Sequence, residues 1–259
     1  MHGKAHAPWY EACTKAARHL HAANRTVALT GAGISVASGI PDFRSPGGLW
    51  AKYDPEQVCS TWALMHNPKG VWEFLLDALE VMQKARPNSG HQALARLEQG
   101  GKIQAVITQN IDNLHQEGGS REVVEFHGNC KRLFCTRCRQ EFAPESASAL
   151  TQETIPWLCD CGGLVRPDVV FFGEPIPHSA LIQSQELIQL ADCIVIIGTS
   201  GDVAPANSFP YMVKSRGGTV LEINLGHTGY DRIVDVRIDG RAEDVLPVLA
   251  DLVLQDARH

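Results

Sequence analysis

Five short apolar runs constrain the fold of this chain more than any other feature: "TVALTGAGIS", "IQAVITQN", "DVVFFG", "DCIVIIG" and "TVLEIN". They are rich in Val and Ile and lack polar alternation. That pattern predicts strands buried on both faces of a parallel sheet. Helical patterns lie between several of them, as in "NSGHQALARLEQ" and "HSALIQSQELIQLA". A further helix is predicted from residue 8 to about 24, where Trp9, Ala12, Cys13, Ala16, Ala17 and Leu20 recur at helical spacing. The alternation predicts a doubly wound, Rossmann-like α/β fold.

Two segments interrupt the alternation. Residues 45–87 are rich in Trp, Pro and Leu and read as helical. Residues 129–163 hold five of the eight cysteines. Both read as insertions that together form a smaller lobe. The large sheet domain then takes 1–44, 88–128 and 164–259, a size that suits one core domain carrying an inserted module.

The formal net charge of −6 lacks the Lys and Arg surplus that phosphate contacts need, so no specific nucleic-acid partner is expected. Lys131, Arg132, Arg137 and Arg139 form a small local basic patch. The N-terminal stretch has no apolar run long enough for a signal peptide. The longest apolar stretch elsewhere, "CIVIIG", is far too short to span a membrane. A cytoplasmic protein is expected, and there clustered cysteines read as metal ligands or reactive thiols.

"CTRC" places Cys135 and Cys138 at C-x₂-C spacing, and Cys159 and Cys161 follow in "WLCDCGG" after twenty intervening residues. Two such pairs predict a single structural zinc held by four thiolates, with no open position for water. The second pair is C-x-C, which demands a different turn. Cys130 lies between His127 and the first pair, as a packed thiol or a stand-in ligand. Cys13, Cys59 and Cys193 have no partners by spacing and read as core.

"LTGAGIS" sets Gly31 and Gly33 directly after a strand. Glycines there admit a pyrophosphate to the N-terminus of a helix. The third glycine of the usual fingerprint is missing, so the turn by itself is equally a tight strand-to-helix connection.

The longer stretch "GAGISVASGIPDFRS" resembles the first signature of the sirtuins, the NAD-dependent protein lysine deacylases. The resemblance continues through "TQNIDNLHQEGG", "EFHGNC", "RPDVVFFGE", "GTS" and "EIN", in order, from about residue 26 to 246. It implies that NAD, a co-substrate, lies across the C-terminal edge of the sheet. Gly31, Ala32 and Gly33 match the phosphate turn. Asp42, Phe43 and Arg44 match a loop that closes over NAD. Gln109, Asn110, Ile111 and Asp112 match the motif beside the ribose and nicotinamide. Gly198, Thr199, Ser200 and Asn224 match the adenosine-side contacts. Asn110 and Asp112 are also residue types that cap helices.

In the family an acyl-lysine oxygen attacks the anomeric carbon of NAD as nicotinamide leaves, and the ribose 2′-hydroxyl then attacks the intermediate. A neutral imidazole takes that hydroxyl's proton, and His127 in "FHG" is the match, with Asn110 as the second catalytic residue. The products implied are free lysine, nicotinamide and O-acyl-ADP-ribose. Val170, Phe171, Phe172, Gly173 and Glu174 match the strand that pairs with an extended acyl-lysine peptide. The opposing loop departs from the family at Asp202 and Ala204. Leu75 and Ala78 stand where acid-removing members carry a tyrosine and an arginine, so neutral acyl groups are expected. Protein mono-ADP-ribosyl transfer and an NAD-sensing binding module are the competing functions.

Overall fold

The computed structural model describes residues 7–41 and 52–255. Helix α1 (Tyr10–Ala22) leads into strand β1 (Thr26–Thr30), which ends in a 3₁₀ segment, Ala32–Ser38. Three helices follow: α2 (Pro55–Val58), α3 (Thr61–His66) and α4 (Pro68–Lys84). Next come α5 (Ser89–Gln99), β2 (Ala105–Thr108), α6 (Leu114–Glu117), β3 (Val123–Glu125), β4 (Gly128–Cys135), β5 (Glu141–Phe142) and β6 (Val165–Val169). The chain closes with α7 (His178–Leu190), β7 (Cys193–Ile197), α8 (Phe209–Ser215), β8 (Thr219–Asn224), β9 (Val236–Asp239) and α9 (Ala242–Gln255).

The larger sheet runs β3-β2-β1-β7-β8-β9, and every pairing in it is parallel. β1 and β7 lie at its centre, and all five residues of each are buried. This is why their sequences show no alternation: each face carries a helical layer. On one face Ala28, Val106, Val195, Leu221 and Ile238 pack against Leu20 of α1, Leu94 of α5 and Leu249 of α9. On the other, Val27, Leu29, Ile107, Ile194 and Ile196 pack against Ile188 of α7 and Val213 of α8. Such side chains each contribute about 1.5–3 kcal/mol on full burial. The helices start where polar caps place them. Asn88 accepts from the Gly90 amide while its own N–H donates to the His91 ring, and Asn67 caps α4 ahead of Pro68.

The strand order reverses at β1, whose neighbours β2 and β7 lead to opposite edges. In open α/β sheets the crevice at such a switch point, beyond the C-terminal ends of the strands, is where ligands bind.

One strand is not where its sequence pointed. The run "DVVFFG" does not join the parallel sheet. Its first residues close β6, which pairs antiparallel with β4 in a separate three-stranded sheet, β5-β4-β6. Pro167 sits in β6, an edge strand, where its missing N–H is tolerated. The helical and cysteine segments share a core. Trp72 of α4 donates its indole N–H to the Val165 carbonyl at 2.9 Å, and its ring lies 5.9 Å from that of Trp157.

Candidate active site

The loops after β1, β2, β3 and β7, with the end of β8, build the site at the C-terminal edge of the sheet. After β1, Gly31 and Gly33 press against the loop after β7. The Gly31 N–H donates to the Ile197 carbonyl at 3.0 Å and the Gly33 N–H to the Gly198 carbonyl at 2.9 Å. A Cβ on Gly33 would lie 2.6 Å from the Gly198 Cα, and one on Gly31 2.7 Å from the Thr199 Cβ. These glycines therefore serve the close approach of two loops. Their amides are already bonded, which leaves less of the cradle for phosphate than the motif implies.

After β2, "TQNID" turns across the crevice. Gln109 Nε2 donates to Thr199 Oγ1 at 3.0 Å. Asn110 Nδ2 donates to the Gly31 carbonyl at 3.1 Å and to Ser35 Oγ at 3.2 Å. Ser35 in turn donates to Asp112 at 2.7 Å, and the other Asp112 oxygen accepts from the Leu114 amide at 2.9 Å. Asp112 thus satisfies the first amide of α6, whose N-cap position is Asn113. Burial pushes its pKa up, against the Ser35 and Leu114 hydrogen bonds. Ser35 links Asn110 to Asp112 and is a site residue that sequence reasoning missed. Its signal was its place inside the "GAGIS" stretch.

After β3, His127 stands half-buried between the two sheets. Its Nδ1 lies 3.0 Å from the Gln109 carbonyl. A carbonyl only accepts, so Nδ1 carries the proton and Nε2 of the neutral ring is the free base. Burial lowers the pKa of this imidazole, with the Gln109 carbonyl opposing. Gly128 follows at φ 81°, with the Asp168 carbonyl 2.0 Å from where a Cβ would stand. Only glycine lets the chain turn there from His127 into β4.

The adenosine-side candidates meet at β7 and β8. Gly198 adopts φ 61°, and the Thr199 carbonyl accepts from Asn224 Nδ2 at 2.9 Å. Ser200 is exposed, and its carbonyl accepts from the Gly229 amide at 2.8 Å. Ala32 is half-buried beside them, as is Ile111, whose carbonyl accepts from the Cys130 amide. Asp42, Phe43 and Arg44 lie outside the described residues.

The segment after β6 has two sides. The Val170 amide donates to the His127 carbonyl at 2.9 Å, which sets this segment beside His127. Phe172 and Gly173 are exposed. Phe171 is buried, and Arg166 stacks 4.3 Å from its ring centroid. Glu174 pairs with the buried Arg166 at 2.5 and 2.8 Å. Its carboxyl stays below the ordinary range, Arg166 and the Phe171 amide outweighing burial. Phe171 and Glu174 therefore anchor the segment, while Phe172 and Gly173 face outward.

The sulfurs of Cys135, Cys138, Cys159 and Cys161 all lie within 4.8 Å of one another. Metal–sulfur bonds of about 2.3 Å in a tetrahedron set sulfurs slightly under 4 Å apart, so the set fits a thiolate-bound ion. The Arg137 and Cys138 amides point at Cys135 Sγ at 3.4 and 3.5 Å, the knuckle that steadies a thiolate. Gly163 is required beneath them, since a Cβ there would meet Cys135 Sγ at 2.6 Å. The C-x-C pair converges as well as the C-x₂-C pair. Cys130 is buried in the helical core apart from this cluster, and Cys13 and Cys193 are buried in the sheet core.

Sheet order, switch-point crevice and thiolate cluster define the class: a Rossmann-like α/β enzyme with a cysteine-held module. The Sir2 family model matches residues 31–205. An NAD-dependent protein deacylase of Pyrococcus abyssi is 46% identical over 234 residues, covering 89% of this chain and 94% of that protein. A solved Sir2 homologue in complex with NAD superposes at TM-score 0.87 and 40% identity, covering 93% of this chain and 94% of that one. A Sir2 protein bound to a myristoylated histone peptide superposes at TM-score 0.81 and 35% identity, covering 96% and 98%. The chain belongs to the Sir2 family. Among the described residues, no helix is long and apolar enough to cross a membrane.

Proposed function

We propose that the chain is an NAD-dependent protein lysine deacylase that moves a neutral acyl group from lysine to the ADP-ribose of NAD. The observation that carries this reading is the 3.0 Å contact between His127 Nδ1 and the Gln109 carbonyl. With Nδ1–H fixed on the Gln109 carbonyl, Nε2 is unprotonated and available as a base. Gln109 is held in turn by Thr199, so the base is set from the adenosine side of the crevice. Asn110, tied to Gly31 and Ser35, keeps its Oδ1 available to orient a ribose hydroxyl.

NAD is written here as substrate, bound across Gly31–Gly33, Gln109–Asp112, Gly198–Ser200 and Asn224. Phe172 and Gly173 offer their exposed side to an extended acyl-lysine peptide; the Phe172 amide and carbonyl are already paired with Cys59 and Thr61, so Phe172 offers its ring rather than its main chain. The cysteine cluster holds a single zinc. Four thiolates leave it no open position, so its work is to fold the smaller lobe of residues 45–87 and 129–163. Leu75 and Ala78 are both buried in the helical core and offer no cation to an acidic acyl group. Acetyl and longer neutral acyls are the expected cargo.

The test supplies NAD labelled in its ADP-ribose portion together with acetyl-lysine and succinyl-lysine peptides. Label in O-acetyl-ADP-ribose, with the acetyl peptide consumed faster, is the expected result. Label on protein would establish mono-ADP-ribosyl transfer instead. Faster consumption of the succinyl peptide would overturn the acyl assignment.

A further inference from the structure

Strand β8 ends in Glu222, Ile223 and Asn224, and Glu222 is fully buried at 0% exposure. A carboxylate is costly to desolvate, so its partners matter. Oε1 accepts from Thr228 Oγ1 at 2.6 Å and from Asn224 Nδ2 at 3.1 Å. Arg237, directly opposite in β9, holds Nη1 3.8 Å from Oε2, within ion-pair reach but beyond a hydrogen bond. That guanidinium also donates to Asp231 and to the Gly226 carbonyl. Among the described residues, Oε2 itself has no hydrogen-bond partner.

The consequence falls on Asn224. A side-chain amide has two N–H donors and one carbonyl oxygen. Asn224 Nδ2 lies 2.9 Å from the Thr199 carbonyl and 3.1 Å from Glu222 Oε1. A carbonyl and a carboxylate only accept, so both N–H bonds are committed. A flipped amide would set its oxygen against two acceptors. Oδ1 is then the group that this half-buried side chain offers to a ligand. An acceptor oxygen suits a hydroxyl and opposes a phosphate.

We propose that Glu222 is a positioning residue that locks the Asn224 amide, so that Oδ1 faces a ribose hydroxyl of the dinucleotide. This rests on the reading of Asn224 as an adenosine-side contact. The lock is continuous with the base. Thr199, whose carbonyl takes one Asn224 N–H, accepts from Gln109 through its hydroxyl, and the Gln109 carbonyl holds His127.

The test is a double-mutant cycle read as KM for NAD and KM for an acetyl-lysine peptide. Glu222→Met keeps the length of the side chain and removes both acceptors. It raises KM for NAD about tenfold, the effect of losing one charge-assisted hydrogen bond, and leaves KM for peptide and zinc content unchanged. Asn224→Ala also raises KM for NAD, and the double variant is no worse than Asn224→Ala alone. Fully additive effects overturn the proposal. An unchanged KM in Glu222→Met, with a raised one in Asn224→Ala, overturns the lock alone. An unchanged KM in Asn224→Ala overturns the placement of Asn224 on NAD, and the lock with it. Should Glu222→Met not fold, an isosteric pair decides. Asn224→Asp sets two carboxylates face to face and raises KM for NAD, and adding Glu222→Gln lowers it again about threefold. No recovery overturns the proposal.

Discussion

Gly33→Ala is a single methyl placed where two loops of the site touch. The new Cβ would stand 2.6 Å from the Gly198 Cα and 3.0 Å from its carbonyl oxygen. Carbon atoms rest at about 3.5–4.0 Å, so the loops must part by about 1 Å. They are not free to do so, because β1 and β7 are paired in register up to Thr30 and Ile197 just behind them. Overpacking of this kind costs about 1–3 kcal/mol. Weakening the 2.9 Å bond from the Gly33 amide to the Gly198 carbonyl adds up to about 1 kcal/mol. The stiffer unfolded chain of alanine returns about 0.4–1 kcal/mol. The net loss is about 2 kcal/mol, a fall in melting temperature of roughly 4–8 °C for a chain of this size. KM for NAD rises as well, because the displaced loop carries Thr199, the partner of Gln109 and Asn224. Gly217→Ala is the comparison: φ there is 82° and nothing lies within 4 Å. It costs backbone strain of about 1 kcal/mol and leaves KM for NAD unaltered. Thermal melts and initial rates on both variants decide. A Gly33→Ala protein that melts within about 1 °C of wild type with unchanged KM would refute the close approach.

Two further outcomes follow from the metal cluster and the base. Removing the proposed zinc by chelation leaves four thiols gathered with nothing to hold them, and hydrogen-exchange protection over residues 129–163 is lost before that of the parallel sheet. Equal protection with and without metal would refute a structural zinc. Because burial holds the His127 pKa below its ordinary 6.5, the ring stays neutral through that pH and takes up its proton only in more acid solution. The acid limb of kcat/KM therefore falls below about pH 6.5, and a limb above neutrality would contradict the assignment.

Where the sequence was legible, the reason is local. β1, β2, β7 and β8 are short apolar runs in the middle of a covered sheet, where burial on two faces removes polar alternation. β3 and β9 sit at the edges of the sheet, and "VVE" and "VRID" carry too little pattern to be read as strands. α9 carries Pro247 in its interior, the residue that argues most strongly against a helix. It persists because Val245, Leu246, Leu249 and Val253 bury against the sheet. "DVVFFG" misled because an apolar run looks the same in a parallel sheet and at the exit of a small antiparallel one. In the candidate site, the convergence of Cys135, Cys138, Cys159 and Cys161 was legible from spacing, while His127 and Asn110 were singled out only through the family resemblance. The outward Phe172 and Gly173 were not separable from the inward Phe171 and Glu174, since that division depends on Arg166 arriving from β6. Glu222 read as one letter of a strand. Its partners Thr228 and Arg237 lie beyond that strand, and only the folded chain brings them together.

The proposed base for acyl transfer is a neutral His127, held by the Gln109 carbonyl. The direct measurement is the rate of O-acetyl-ADP-ribose formation from NAD and an acetyl-lysine peptide by wild type and His127→Ala, with zinc content and melting temperature recorded for both. The expected result is loss of product formation in His127→Ala at unchanged zinc content and fold. Product formed by that variant at the wild-type rate would contradict it.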